Sequence, residues 1–257
     1  MDHFEIFFNK LRENERARTC GAEAVQRYQK IHARRFQRTI EICKQLAPNP
    51  HIHVLDIGPS SLTNFLSREY DHVSTLGLDP AEDEGGQNEP SLLDLHLPHI
   101  SFELNNSPYP DRWPSVRQTF DLIVFAETME HLSIAPEYSL VFLASLLSEH
   151  GILLVTTPNA ATIMKRFILL LKGKNPYEPI RLFSENPGHF REYTMREMIG
   201  LASICQFDVL FMKYINFYSA ASILQTLLKN LYPGFRDSLV MAYRKQWQLA
   251  PTIQPKG

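Results

Sequence analysis

The chain has 257 residues, of which 44% are hydrophobic and 21% charged, and its formal net charge at pH 7 is −2. This size and composition suit one large globular α/β domain, and the near-neutral charge gives no case for nucleic-acid binding. The three cysteines, Cys20, Cys43 and Cys205, form no close-spaced metal motif, so we expect a reduced, cytoplasmic setting.

Helical and strand patterns alternate along the first half of the chain. Residues 13–46 predict a long N-terminal helix, which the Pro48 and Pro50 region stops. Apolar runs then predict strands at 53–57, 73–78 and 100–104, with a helix at 62–70 between the first two strands.

The second half continues this alternation. Strands are predicted at 122–126 and 152–156, separated by a helix at 136–147 that Gly151 is expected to close. A helical insert at about 159–194 follows, and then a helix, a strand, a helix and a last strand at 195–203, 208–214, 220–231 and 238–243. Strands that alternate with helices predict a doubly wound α/β sheet.

Two carboxylates follow the first two predicted strands. Asp56 ends the first strand just before the turn Gly58-Pro59-Ser60, and Asp79 follows the second strand, 21 positions after Gly58. Neighbouring parallel strands bring such residues to one rim of the sheet, where an acid about 20 residues past a glycine turn typically binds ribose hydroxyls. The alternative is that both aspartates are strand-end or helix-capping residues.

The turn after the first strand favours a particular class of ligand. It lacks the additional glycines that a pyrophosphate needs, and a carboxylate precedes it. A cationic adenosyl compound without phosphate fits better, and S-adenosylmethionine combines a ribose diol with a sulfonium and an ammonium group. We therefore predict that Asp56, Gly58, Pro59, Ser60 and Asp79 bind this cofactor.

Four motifs, in this order, carry a family resemblance: Val54–Gly58, Leu78-Asp79, Phe120–Leu132 and Gly151–Asn159. From residue 52 to residue 245, the chain resembles the class I S-adenosylmethionine-dependent methyltransferases. The resemblance implies a Rossmann-like, mostly parallel sheet of seven strands whose last strand is antiparallel. It divides the chain into an N-terminal helical arm, 1–50, and a methyltransferase domain, 51–257, that contains the insert.

The chain departs from the family pattern in the turn after the first strand. The second and third glycines of the family fall on Ser60 and Leu62 in an ungapped alignment. This departure leaves open a second interpretation, a catalytically silent binding protein with the methyltransferase fold.

Candidate catalytic residues follow the fourth strand. Methyl transfer requires in-line placement of donor and acceptor, and a hydroxyl acceptor also gains from a base that removes its proton. On a helix start, Glu127 and His131 would lie one turn apart, so that the carboxylate orients the imidazole. We predict His131 as a catalytic residue and Glu127 as a cofactor-binding residue, while a local structural role for the histidine is an equally good alternative.

A second candidate segment is 187–194, which resembles a His-x-Arg-Glu-Tyr-Thr stretch in methyltransferases of sugar, polyketide and polysaccharide pathways. It predicts His189 as a further catalytic residue near the acceptor. The alternative is a structural loop held by an Arg191–Glu192 pair. Thr194 and Glu197 have the spacing of a capping box, so a helix should begin there.

The remaining predictions concern adenine, metals and the acceptor. Asn106 offers an amide donor and acceptor to an adenine edge, although a turn role fits it almost as well. The ten histidines lack a clear ligand spacing, so the sequence predicts no metal site. We expect a small-molecule acceptor and favour O-methylation of a sugar or secondary metabolite, because two histidines are available as bases.

The stretch 163–174 is apolar and has basic flanks. Such a segment can contact a membrane surface or a lipid-linked acceptor. Packing as a lid or as an oligomer face is the stronger alternative. The sequence leaves the oligomeric state open.

Overall fold

The computed structural model describes residues 22–78, 96–177, 188–218 and 223–246, with the backbone alone for 22–29. Seven strands form the sheet: β1 (His53–Ile57), β2 (His72–Gly77), β3 (His99–Ser101), β4 (Phe120–Ala126), β5 (Leu147–Pro158), β6 (Phe207–Ile215) and β7 (Ser238–Lys245). The α-helices of the described residues are α1 (Ala22–Leu46), α2 (Ser61–Glu69), α3 (Pro136–Leu146), α4 (Ile163–Lys172), α5 (Met195–Ile204) and α6 (Ile223–Leu231).

The strands are ordered β3-β2-β1-β4-β5-β7-β6. β7 runs antiparallel to both of its neighbours, β5 and β6, whereas the pairs from β3 to β5 are parallel. This confirms the predicted doubly wound sheet with an antiparallel last strand. The strand order reverses between β1 and β4, and ligands of open α/β sheets bind at the carboxyl ends of strands beside such a reversal.

Each face of the sheet has its own core. Leu55, Phe125 and Leu153 belong to one buried cluster, whereas Val54 and Leu122 belong to the other, because successive residues of a strand point to opposite faces. α1 contributes to the second cluster through side chains that include Phe36 and Cys43. The division into an arm at 1–50 and a domain at 51–257 stays a prediction.

The connection from α3 to β5 differs from the sequence prediction. The helix ends at Leu146, and β5 begins at once with Leu147, so Gly151 lies inside a strand and does not close a helix. A Cβ atom on Gly151 would lie 2.7 Å from the carbonyl oxygen of Phe120. This glycine therefore permits the close approach of β4 and β5 beside the register shift between Phe120 and Leu122.

The other differences are small. β3 is confined to His99–Ser101, and a 3-10 helix, Leu104–Asn106, occupies the end of the predicted strand. Within the predicted insert, α4 begins after a Thr162 cap and ends at Gly173, which adopts φ +56°. In the described parts of the chain, no helix combines the length and apolar character needed to cross a membrane.

Candidate active site

The turn after β1 is held against the end of β2. Gly58 has φ +71°, a left-handed backbone conformation that residues with a side chain rarely adopt. Its N–H donates to the carbonyl oxygen of Leu76 at 2.8 Å. A Cβ atom on Gly77 would lie 3.1 Å from Cδ of Pro59. The two strand ends therefore fit together because both glycines lack side chains.

Ser60 ends the turn by capping α2. Its side chain accepts a hydrogen bond from the N–H of Leu62, and its own N–H donates to Oγ1 of Thr63 at 2.9 Å, which completes a capping box. Leu62 is buried in the core, with 4% of its surface exposed. The two positions where family glycines are missing thus serve the cap and the packing of α2.

Asp56 is buried at the end of β1, where it accepts a hydrogen bond from Thr63 Oγ1 at 2.6 Å. Burial raises the pKa of this carboxyl to about 7, with the Thr63 hydrogen bond acting in the opposite direction. A carboxylate in this position would be stabilised by a nearby cation. Its predicted companion, Asp79, lies outside the described residues, so the pairing of the two acids stays a prediction.

Glu127 lies at the end of β4, and its surroundings differ from the predicted helix start. It adopts φ +52°, and a 3-10 helix begins only at Met129, so the predicted i,i+4 face with His131 does not form. Its carboxylate instead accepts a hydrogen bond from Thr156 Oγ1 at 2.9 Å and lies 3.8 Å from Nη1 of Arg35. Strand β5 and helix α1 therefore hold this acid.

Glu130 takes the place beside the histidines that the sequence analysis gave to Glu127. Its side chain is buried and accepts a hydrogen bond from Thr157 Oγ1 at 3.1 Å. Its backbone carbonyl accepts from the N–H groups of Phe190 and Arg191. These backbone bonds dock the segment that follows the insert onto the 3-10 helix Met129–His131.

The docking brings the two predicted catalytic histidines together. The ring centroids of His131 and His189 are 4.9 Å apart at an interplanar angle of 73°. Nδ1 of His131 lies 3.0 Å from the carbonyl oxygen of Gly188, and Nδ1 of His189 lies 3.1 Å from Oε1 of Glu192. Because a carbonyl oxygen only accepts hydrogen bonds, Nδ1 of His131 carries a proton and Nε2 carries the lone pair of the neutral ring.

The predicted Arg191–Glu192 pair is replaced by two other pairs. Arg191 donates to Oε1 of Glu197 at 2.8 Å, while Glu192 is paired with Lys165 of α4 as well as with His189. The capping box of Thr194 and Glu197 forms as predicted, at the start of α5.

Burial sets the charge state of this region. It raises the pKa of Glu127, which Arg35 opposes, and raises the pKa of Glu130 well above its usual range, where the neighbouring Glu127 carboxylate adds to the effect. Burial also lowers the pKa of His131. The neutral form of this imidazole, which can accept a proton, is therefore favoured near neutrality.

Asn106 lies on the 3-10 helix that follows β3, where its Oδ1 accepts a hydrogen bond from Arg112 at 3.2 Å. The neighbouring Asn105 accepts from the N–H and the hydroxyl of Ser133. Both amides therefore have local partners, and the adenine role of Asn106 stays a prediction.

Three contributions to this site were not predicted from the sequence. Arg35 is distant in sequence from Glu127, and no local pattern links α1 to the end of β4. Glu130 was passed over because a helical model placed Glu127 on the face of His131. The pairing of Glu192 with His189 had a usable signal, since the two residues are separated by three positions.

One protein-family model matches most of the chain. The family model described as "Methyltransferase domain" matches residues 28–229. No curated protein sequence matches the chain at a significant level.

Solved structures share the fold at low sequence identity. An S-adenosylmethionine-dependent methyltransferase from Clostridium acetobutylicum aligns with a TM-score of 0.57 and 11% identity, covering 88% of this chain and 99% of its own. The 1,6-didemethyltoxoflavin-N1-methyltransferase of Burkholderia thailandensis, with bound 1,6-didemethyltoxoflavin and S-adenosylhomocysteine, aligns with a TM-score of 0.57 and 14% identity. The alignment covers 96% of this chain and 92% of that protein. Magnesium protoporphyrin IX methyltransferase from Synechocystis PCC 6803, with bound S-adenosylhomocysteine, aligns with a TM-score of 0.54 and 13% identity. The alignment covers 86% of this chain and 87% of that protein.

Proposed function

The chain belongs to the methyltransferase domain family, and on this basis we propose that it transfers a methyl group from S-adenosylmethionine to a hydroxyl group of a small-molecule acceptor. Family membership confirms the resemblance noted in the sequence. We choose a hydroxyl because His131 and His189 lie next to each other, beside the buried Glu130, and form a histidine pair. Such a group can accept the proton that an alcohol loses on methylation.

The residues at the carboxyl ends of β1 and β4 fit this cofactor. The Gly58 turn allows a ligand to approach the backbone closely, and the buried carboxylates of Asp56 and Glu127 favour a cation. S-adenosylmethionine supplies an activated methyl group on a sulfonium and carries no phosphate. We therefore propose Asp56, Gly58, Pro59, Ser60 and Glu127 as cofactor-binding residues. Asp79 and Asn106 are proposed from the sequence pattern alone.

The proposed task of the histidines is to orient the acceptor and remove its proton. Nδ1 of His131 is fixed by the Gly188 carbonyl, so Nε2 is the atom that accepts a proton. Glu192 orients His189 in the same manner, through Nδ1. The remaining contribution is to hold acceptor and methyl group in line and to exclude water.

An amine acceptor is the main competing choice within this function. The Burkholderia neighbour is named as an N1-methyltransferase, and an amine needs less help from a base. Two histidines held through Nδ1 favour a hydroxyl, and sugars and secondary metabolites remain the proposed classes.

The alternative of a catalytically silent binding protein loses its main basis. It was raised by the missing loop glycines, and Ser60 and Leu62 have defined structural roles as a helix cap and a core residue.

The experiment that tests the function uses purified protein, S-adenosylmethionine with an isotopically labelled methyl group, and matched acceptors that differ only in a hydroxyl or an amine. We expect label in the hydroxyl acceptor and release of S-adenosylhomocysteine. Transfer only to amines would refute the choice of oxygen, and no cofactor affinity in a folded sample would refute methyl transfer.

Contact with a membrane or a lipid-linked acceptor through residues 163–174 stays a further proposal. Leu170 and Leu171 of α4 are 81% and 71% exposed, and Lys172 follows them. An apolar helix face beside basic residues is typical of peripheral attachment to anionic lipid. The cytoplasmic setting also stays a prediction.

A further inference from the structure

Glu130, His131 and His189 form a cluster with the composition of a metal site. Each residue offers one ligand atom, and the three atoms lie within 4.8 Å of one another. Two atoms bound to one tetrahedral ion at about 2.1 Å each lie about 3.4 Å apart, so these side chains would move together by up to about 1.4 Å to close the site. No metal was predicted from the sequence, because the ten histidines lack a clear ligand spacing; these three ligands come from two distant segments.

Both histidines are held as metal-binding histidines usually are. Nδ1 of His131 donates to the Gly188 carbonyl, and Nδ1 of His189 contacts the Glu192 carboxylate. Histidines that bind a metal through Nε2 typically use Nδ1 in this way, with a carbonyl or a carboxylate that fixes the ring. The two rings meet edge to face with 4.9 Å between their centroids, so both imidazoles stay within reach of Glu130.

The charge around the cluster favours a cation. Among the described residues, Glu127 is paired with Arg35 and Glu192 with Lys165, whereas no ion pair involves Glu130. Glu130 is buried, and its hydrogen bond comes from the neutral Thr157 hydroxyl. A divalent ion beside Glu130 would offset the cost of burying this carboxylate.

We propose that Glu130, His131 and His189 bind one divalent transition-metal ion, with Zn²⁺ preferred over Mn²⁺ and both preferred over Mg²⁺. Two imidazoles and one carboxylate form a ligand set that suits Zn²⁺ and related ions, whereas Mg²⁺ prefers oxygen ligands. Three protein ligands leave a position open for another molecule.

The catalytic role of this ion rests on the proposed function, whereas its binding does not. In the metal-bound form, Nε2 of each histidine is a ligand, and the ion takes over the role of the histidine base. An acceptor hydroxyl in the open position would have a lowered pKa, and its proton would pass to water. The oxygen would then form a bond to the methyl carbon as the carbon–sulfur bond breaks. The products are a methyl ether, S-adenosylhomocysteine and one proton.

Calorimetric titration of the full chain with ZnCl₂, MnCl₂ and MgCl₂ tests the site. We expect one Zn²⁺ per chain, and affinity reduced at least about tenfold by Glu130→Gln, His131→Ala or His189→Ala. The exposed His150 is the matched control, and His150→Ala should bind Zn²⁺ like the unmodified protein. Absence of stoichiometric Zn²⁺ binding, or equal affinity in all variants, would overturn the proposal.

A second measurement uses the unmodified protein, so it tests the site even where a substituted variant fails to fold. Mn²⁺ at low occupancy should broaden the imidazole NMR signals of His131 and His189 and spare those of His150. Equal broadening of all three would overturn the assignment. S-adenosylmethionine binding is measured separately: metal binding without cofactor binding refutes the proposed function alone, and the reverse refutes this inference alone.

Discussion

The imidazole of His189 meets the imidazole of His131 edge to face, with 4.9 Å between the ring centroids. One ring follows β4, and the other belongs to the segment that returns from the insert. Backbone hydrogen bonds from Phe190 and Arg191 to Glu130 maintain this meeting. Main-chain hydrogen bonds therefore join the two segments of the predicted acceptor site, and they set the positions of the two histidine side chains.

Replacing either histidine should affect turnover more than cofactor affinity. We expect His131→Ala and His189→Ala to lower kcat by about 10²–10⁴-fold, because proton removal from the acceptor contributes on that scale. Calorimetry should give an unchanged dissociation constant for S-adenosylmethionine. His150→Ala serves as the control, and equal losses of turnover and cofactor affinity would assign a structural role to the histidine pair.

Asp79 provides a test of the cofactor site. We expect Asp79→Ala to weaken S-adenosylmethionine binding by about 1.5–3 kcal/mol, roughly ten- to hundredfold, because the ribose hydroxyls lose a charged acceptor. The matched control is Asp111→Ala, at an exposed position. Unchanged affinity in a folded Asp79 variant would contradict the assignment.

Gly58 and Gly200 form a contrasting pair for stability. Gly58→Ala should destabilise the fold by about 1–2 kcal/mol, because φ is +71° and the new Cβ would lie 3.1 Å from Oγ1 of Thr128. Gly200 lies inside α5 with open space around it, so Gly200→Ala should stabilise by about 0.5–1 kcal/mol. Urea unfolding measures both changes, and equal effects of the two substitutions would refute the account of the turn.

Asp56 should give the cofactor-free protein a pH-dependent stability. Its native pKa of about 7 lies above the ordinary value of 3.8, so the native state holds a proton that the unfolded chain has lost. This difference removes stability progressively as pH rises from about 4 to about 7, and the loss is complete above that range. Asp56→Asn should reduce this dependence in urea unfolding at pH 5 and pH 8 and leave the part due to Glu127 and Glu130, whose pKa values burial also raises. Asp111→Asn should retain the full dependence.

The exposed face of α4 gives a prediction about lipid. The proposed lipid contact of α4 predicts that the protein sediments with vesicles that contain anionic lipid and not with neutral vesicles, because Lys172 and Lys174 lie beside exposed leucines. Packing as a lid or an oligomer face predicts no sedimentation with either kind. The double substitution Leu170→Glu and Leu171→Glu should abolish sedimentation. Ile204→Glu, at a 66% exposed position on α5, is the control. Equal binding of the double variant would exclude this face.

The sheet was predictable from sequence because each strand carries its own signal. Apolar runs that end in Asp56 or Ala126 require only local pattern and the rules of parallel sheets. Gly151 was misread because a glycine after a helix usually ends it, and the close approach to Phe120 that explains it comes from the opposite strand. Contacts between distant segments leave no mark in a local pattern.

The candidate site was predictable in part for the same reason. His131 and His189 could be selected by residue type, and their adjacency required the fold. The helical spacing of Glu127 and His131 failed because the left-handed Glu127 residue interrupts the helix. The link from Arg35 to Glu127 depends on how α1 packs, which no short motif encodes.

The parallel bridge between Asn159 and Tyr193 encloses the insert in a loop whose two ends lie side by side. Segments with adjoining ends can change length or composition at small entropic cost to the remainder of the chain. Changes in the length or composition of this loop should therefore leave the sheet and the turn after β1 in place.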